Sequence, residues 1–135
     1  MNKKIDVACA IIEKDGMVLA AQRSESMSLP LKWEFPGGKI EPREDARDCL
    51  ERELMEELGV GIHIHAALSP SSWRYPDFAI TLHPFVCTLK PGTIHLVEHK
   101  AIRWIRPEEM GRLDWAEADG PVLENYFRYL GQRVD

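Results

Sequence analysis

Three glutamates at positions 53, 56 and 57 carry the strongest chemical signal in this chain. An α-helix turns by about 100° per residue, so Glu53, Glu56 and Glu57 fall within an arc of roughly 100° on one predicted helix. Carboxylates crowded in this way raise one another's pKa unless a cation lies between them. Because hard divalent ions such as Mg²⁺ take oxygen ligands of this kind, the spacing predicts a divalent-metal site on a helix.

The helix that positions these carboxylates is predicted to begin near Arg43 or Glu44 and to end at Leu58. Gly59 is well placed as a left-handed C-cap. Apolar residues occupy the face next to the glutamates, at Leu50, Leu54 and Leu58. One face therefore packs on a core while the adjacent face presents negative charge.

The remaining elements are short strands and one further helix. Strands are predicted over residues 5–13, 17–22, 33–35, 60–68, 78–89 and 100–105, with a loop or strand end over 69–75. Asp15 and Gly16 predict a tight hairpin, which argues against a purely parallel sheet. Gly37 and Gly38 are predicted to stop a strand and to let the backbone approach a ligand. A single helical turn is predicted over residues 107–110 and a final helix from Pro121 to about residue 130, so the class is α/β with helices on a sheet.

Composition limits the classes of protein to consider. The chain has 135 residues, 44% hydrophobic and 29% charged, which predicts one globular domain over residues 1–135. The net charge of −5 argues against nucleic acid as a partner. No apolar run approaches the roughly 20 residues that span a bilayer, and residues 7–12 are predicted to be a buried strand, not a signal peptide. Three scattered cysteines predict free thiols in a reducing compartment such as the cytoplasm, and a monomer and a homodimer remain equally open.

The residues around the glutamates follow a fixed spacing. Gly38 is followed after five residues by Glu44, and Glu44 after seven residues by the run 52–60. This pattern resembles the box motif of the Nudix hydrolases. All nine specified positions match, namely Gly38, Glu44, Arg52, Glu53, Leu54, Glu56, Glu57, Gly59 and Val60. Residues 33–41 are also similar to the approach to the box in MutT-type and CTP-pyrophosphohydrolase-type members. The resemblance implies the Nudix fold, an α/β/α sandwich with a mixed sheet.

The resemblance also implies a set of metal ligands for Mg²⁺, with Mn²⁺ as a second candidate. These are the backbone carbonyl of Gly37 and the carboxylates of Glu53, Glu56, Glu57 and Glu98. In a helix outside such a motif, the alternative interpretation would be favoured: a solvated acidic face whose carboxylates pair with Arg47 and Arg52. Glu98 could equally be a surface glutamate, and His95 and His99 beside it are expected to be exposed loop residues.

Three box residues are assigned to the catalytic set by the resemblance, with different roles. Glu53 is the implied general base. Glu44 is implied to be an outer-shell ligand of metal or water, which requires the loop before the helix to bend, because helical spacing alone places it on the far side. Arg52 is expected to hydrogen-bond a carboxylate so that it points correctly.

The reaction implied by the resemblance is hydrolysis of a nucleoside triphosphate to the monophosphate and pyrophosphate. The implied substrates are CTP-like or 5-methyl-dCTP-like nucleotides, or 8-oxo-dGTP, in sanitation of the nucleotide pool. ADP-ribose or a dinucleoside polyphosphate is the alternative substrate. A non-catalytic nucleotide-binding module is disfavoured because no box carboxylate is missing. An acidic protein repels a polyphosphate substrate, but metal ions would bridge the acidic helix to the phosphates and reverse the local charge.

Four residues are candidates for substrate binding. Arg23 resembles a phosphate-contacting arginine of MutT-type enzymes, with a surface cation as the equal alternative. Phe35 and Tyr75 could line a wall for the base, although core packing competes and is favoured for Phe35. Asp119 resembles the base-recognition position of the family, and a helix N-cap is its alternative. An ionised Asp119 accepts hydrogen bonds from a guanine-type base but faces the N3 lone pair of cytosine, so the base stays open.

Overall fold

The structure is a computed structural model that describes residues 3–133. The domain predicted over residues 1–135 includes two more residues at each end, and these lie outside the described residues. The strands of this part of the chain are Lys3–Lys14 (β1), Met17–Gln22 (β2), Trp33–Glu34 (β3), Gly37–Lys39 (β4), Ile62–Ala67 (β5), Ser71–Arg74 (β6), Phe78–Leu89 (β7) and Ala101–Ile105 (β8). The helices are Ala46–Leu58 (α1) and Gly120–Arg133 (α2), with 3₁₀ turns at Pro107–Arg112 and Glu117–Asp119. Neither α-helix within residues 3–133 is long and apolar enough to cross a membrane.

The sheet is mixed, as predicted from the hairpin. Strand β1 runs parallel to β7 and antiparallel to β2 and β4. Strand β7 also pairs with β5 and β6, and β2 pairs with β3 and β8. Asp15 and Gly16 have φ of 52° and 75°, the left-handed conformations that a tight hairpin needs.

Helices cover both faces of the sheet, and side chains of β1 alternate between two cores. Cys9 and Ile11 belong to the core that includes Val122 and Tyr126 of α2. Ala8, Ala10 and Ile12 belong to the core that includes the leucine face of α1. This period-2 alternation gives the α/β/α sandwich that was expected. Burying each leucine of α1 contributes about 1.5–3 kcal/mol, so the core fixes which side of α1 carries the glutamates.

Helix α1 begins later than predicted. The Asp45 side chain caps it by accepting a hydrogen bond from the Asp48 amide at 2.8 Å. Arg43 has φ of 68°, a left-handed conformation that cannot enter a right-handed helix, so the predicted start at Arg43 or Glu44 is wrong. The end is as predicted: Gly59 has φ of 68° and its amide donates to the carbonyls of the last turn.

Strand β3 ends before Gly37 and Gly38, as predicted, but the two glycines form a strand of their own, which was not predicted. They pair with Cys9 and Ala8 of β1. A Cβ at Gly37 would collide with the carbonyl oxygen of Ala8, so only glycine permits this close pairing. Residues 71–74 form a strand on β7, which settles the open assignment of that segment.

Candidate active site

Arg52 lies at the centre of the box carboxylates. Its Nε and Nη2 donate to the two oxygens of Glu44 at 2.7 and 2.9 Å, and its Nη1 donates to Glu53 at 2.9 Å. The same Nη1 contacts Glu56 at 3.3 Å. The bend before α1 brings Glu44 to this side, as its predicted role required. The two-pronged contact with Arg52 lowers the pKa of Glu44 to about 2, so Glu44 stays ionised.

Glu53 is wedged between Arg52 and the backbone of β4. Its side chain is only 15% exposed, and its carboxyl fills the space that a Cβ of Gly38 would need. Burial raises the pKa of Glu53, and the contact with Arg52 opposes that rise. A carboxylate with raised proton affinity and a fixed orientation has the properties of a general base.

Glu57 lies one turn beyond Glu53 and carries a buried carboxylate oxygen without a hydrogen-bond partner among the described residues. Burial raises the pKa of Glu57 to about 8; His99 opposes this, and Glu34, Glu53 and Glu98 add to it. An unpartnered buried carboxylate is costly unless a cation binds it. The oxygen donors present therefore fit a hard divalent cation.

The other two predicted carboxylate ligands, Glu56 and Glu98, do not converge with Glu53 and Glu57 on a single metal position. Glu56 is 59% exposed and turned toward Arg52, and Glu98 is exposed. Within residues 3–133, no three acidic, histidine or cysteine side chains converge on one metal position. Arg52 contacts both Glu53 and Glu56. Arg47 does not share this role, since its guanidinium lies over the Phe85 ring at 5.4 Å.

His99 is buried, so the prediction that it is an exposed loop residue is wrong, whereas His95 is exposed as expected. The His99 side chain is 1% exposed and its Nε2 is hydrogen-bonded to Glu34 at 2.8 Å. Its Nδ1 lies 3.9 Å from the unpartnered oxygen of Glu57. Burial lowers the pKa of His99, but the bond to Glu34 and the charges of Glu34 and Glu57 outweigh it and the net shift is upward.

Glu34 is the residue that sequence reasoning missed. It binds His99 through one oxygen and Arg23 through the other, at 2.7 Å. Arg23 is therefore held in an ion pair and is 17% exposed, not free on the surface. The available signal was a charged residue between Trp33 and Phe35, in a strand that is otherwise apolar.

The predicted base-binding residues meet at the start of α2. Asp119 is buried and accepts a hydrogen bond from the Phe35 amide at 3.1 Å, instead of capping α2. The Tyr75 hydroxyl accepts from the Ala118 amide at 3.1 Å, which fixes the turn that carries Asp119. Burial, and then Glu34, raise the pKa of Asp119 well above its ordinary value.

Phe35 and Tyr75 differ in their surroundings. Phe35 is 3% exposed and packs on Trp115 with ring centroids 4.8 Å apart, which favours core packing. Tyr75 is half-buried and stacks on Phe78 at 5.0 Å, so part of its surface faces outward beside Asp119.

A sequence model of the NUDIX domain matches residues 2–126. The chain belongs to the Nudix family. Its relatives include the CTP pyrophosphohydrolase of Escherichia coli K12, 40% identical over 97% of both chains. The putative 8-oxo-dGTP diphosphatase 2 of Mycobacterium tuberculosis H37Rv is 36% identical over 96% of this chain and 92% of that protein. The solution structure of the E. coli ORF135 protein superposes with a TM-score of 0.83 at 37% identity, covering 98% of this chain and 94% of that one.

These matches confirm the Nudix fold and the assignment as a Nudix hydrolase that acts on nucleotides. Nudix hydrolases generally use divalent metal ions, in agreement with the chemistry of the donor set around Glu57. The box motif thus gave the family correctly, while the contacts of His99 and Glu34 come from the structure alone.

Proposed function

We propose that this Nudix hydrolase cleaves a nucleoside triphosphate to the monophosphate and pyrophosphate with Mg²⁺, or with Mn²⁺ in its place. The unpartnered oxygen of Glu57 beside the wedged carboxylate of Glu53 carries this proposal. The expected ligands are the Gly37 carbonyl and the carboxylates of Glu53, Glu56, Glu57 and Glu98. The bound metal supplies positive charge to the phosphates and lowers the pKa of water.

The chain's own residues supply positioning. Arg52 and Glu44 hold Glu53 in one orientation, in which it accepts the proton of the attacking water. Arg23 lies at the end of β2 with one nitrogen on Glu34, and its positive charge can reach a phosphate. Positioning and charge stabilisation dominate phosphoryl transfer, so fixed side chains of this kind can supply much of the rate.

The base is proposed to be cytosine. A raised pKa favours the protonated form of Asp119, whose hydroxyl can donate to N3 of cytosine while an oxygen accepts from the N4 amino group. Protonation thereby removes the conflict that an ionised Asp119 would have with cytosine. The name of the E. coli relative supports the same choice. An 8-oxo-guanine nucleotide is the second candidate, on the name of the M. tuberculosis relative.

The physiological role that follows is removal of unwanted triphosphates from the nucleotide pool of the cytoplasm. The decisive test compares dCTP, 5-methyl-dCTP, 8-oxo-dGTP and ADP-ribose in Mg²⁺, with product analysis. We expect pyrophosphate release, fastest from the cytidine nucleotides. Cleavage of ADP-ribose alone would contradict the proposal.

Asp119→Asn tests the base assignment separately. An amide at this position donates and accepts like the neutral acid, so cytidine turnover should persist while metal dependence stays unchanged. A collapse of metal affinity would show that Asp119 does not belong to a base site.

A further inference from the structure

A chain of polar contacts, Arg23–Glu34–His99–Glu57, connects four separate segments of the fold. Arg23 follows β2, Glu34 lies on β3, His99 precedes β8, and Glu57 lies on α1. The first two contacts are short, at 2.7 and 2.8 Å. The last is open: His99 Nδ1 and Glu57 Oε2 face each other across 3.9 Å.

The two atoms across this gap are both buried and both without a partner among the described residues. A separation of 3.9 Å is too long for a hydrogen bond. Zinc, for example, binds imidazole nitrogen and carboxylate oxygen at about 2.0–2.2 Å, so one divalent cation between the two atoms can reach both.

The hydrogen bond between His99 Nε2 and Glu34 leaves Nδ1 as the ring nitrogen that is available to bind a metal. An ionised carboxylate only accepts, so the hydrogen-bonded Nε2 carries a proton, and in the neutral form of the ring the lone pair is on Nδ1. Metal-binding histidines characteristically donate their other N–H to a carboxylate, which fixes the tautomer and the ring orientation. Glu34 has this relation to His99 at 2.8 Å.

We propose that His99 Nδ1 is a nitrogen ligand of the metal site and shares a cation with Glu57. The inference rests on the proposed function and adds a ligand to it. Imidazole suits transition-metal ions, whereas Mg²⁺ prefers oxygen. The site should therefore favour Mn²⁺ over Mg²⁺ more strongly than an all-oxygen site would. Arg23 and Glu34 then become positioning residues that hold the ligand ring.

Pulsed electron paramagnetic resonance of the Mn²⁺-loaded parent protein, without nucleotide, tests nitrogen ligation directly. We expect a ¹⁴N coupling that is replaced by ¹⁵N when the histidines are labelled. The coupling should disappear in His99→Gln and persist in His95→Gln, a matched change at an exposed position. Labelling requires no substitution, so the test holds even if a variant fails to fold.

Calorimetric titration gives a second readout. His99→Gln should weaken Mn²⁺ binding by about 10-fold to 100-fold and Mg²⁺ binding less, so the ratio of the two affinities falls. Thermal unfolding in EDTA checks that the fold is retained. Bound Mn²⁺ without histidine nitrogen coupling, or an unchanged affinity ratio, overturns this inference alone. A parent protein that binds neither ion overturns the proposed metal dependence, and this inference with it.

Discussion

The carboxyl group of Glu53 lies against the backbone of Gly38, in the space where any other residue at position 38 would place its Cβ. The contact joins the first glycine of the box to its first helical glutamate. Gly38 does not have a positive φ, so its role here is to leave room for the Glu53 carboxyl. The requirement is for space, because Glu53 must point across β4.

Gly38→Ala should therefore displace Glu53. The atoms that the new Cβ would meet all belong to the end of the flexible Glu53 side chain, so we expect this carboxyl to move and the loss of folding stability to be small. A displacement of a catalytic group by about 1 Å can lower the rate roughly 100-fold, so we expect a fall in kcat of that order. Steady-state kinetics on dCTP and denaturant unfolding measure the two effects.

Gly131→Ala is the matched control. Gly131 lies in α2 with open space around its Cβ position, and alanine there should stabilise the helix by about 0.5–1 kcal/mol. Equal loss of activity in the two variants would contradict a specific role for the space at Gly38.

The helix and its chemistry were predictable from sequence because they depend on residues close in the chain. The leucine and glutamate faces of α1 follow from helical period, and the Asp15–Gly16 hairpin follows from turn chemistry. The long strands were likewise predicted from their content of β-branched and apolar residues. These features require no knowledge of distant contacts.

The misplaced features depend on distant parts of the chain. Glu34 and His99 are 65 positions apart, and no local pattern links a strand glutamate to a loop histidine. Glycines have low strand propensity, so β4 forms only because β1 offers it a partner. Asp119 likewise accepts from the Phe35 amide, 84 positions away, and this contact replaces the helix cap that was the alternative to its predicted role in base recognition.

Arg52→Lys should disorder the box carboxylates. A lysine ammonium is a point charge and cannot hold both oxygens of Glu44 while contacting Glu53. Loss of such an outer-shell partner costs about 10-fold to 100-fold in activity or metal affinity. Kinetics on dCTP at several Mg²⁺ concentrations would detect either loss.

Arg47→Lys provides the comparison on the same helix. The Arg47 guanidinium packs over the Phe85 ring, away from the box carboxylates. We therefore expect Arg47→Lys to leave kcat nearly unchanged. If it reduced kcat as much as Arg52→Lys does, the effect would belong to the helix and not to the contacts of Arg52.

Asp119→Asn should change how stability depends on pH. Because the folded pKa of Asp119 is raised, its contribution to stability is present at low pH and is lost as pH rises through that pKa. Asparagine carries no charge and can still accept from the Phe35 amide. The melting temperature of the variant relative to the parent should therefore increase with pH.

Thermal unfolding in EDTA between about pH 4 and 9 spans the relevant range. Asp77→Asn, the same substitution at an exposed position, is the matched control. A melting temperature of Asp119→Asn that stays constant or falls relative to the parent as pH rises would mean that burial does not raise the pKa of this carboxyl.

Binding of a divalent cation by the box carboxylates is the claim on which the rest depends. Calorimetric titration of Mg²⁺ into the parent protein, alone and with a nucleoside triphosphate analogue that cannot be cleaved, measures it most directly. We expect saturable uptake that strengthens with the nucleotide and is lost in a variant carrying Glu53→Gln and Glu57→Gln. No uptake by the parent in either condition, or equal uptake by the double variant, would contradict the account.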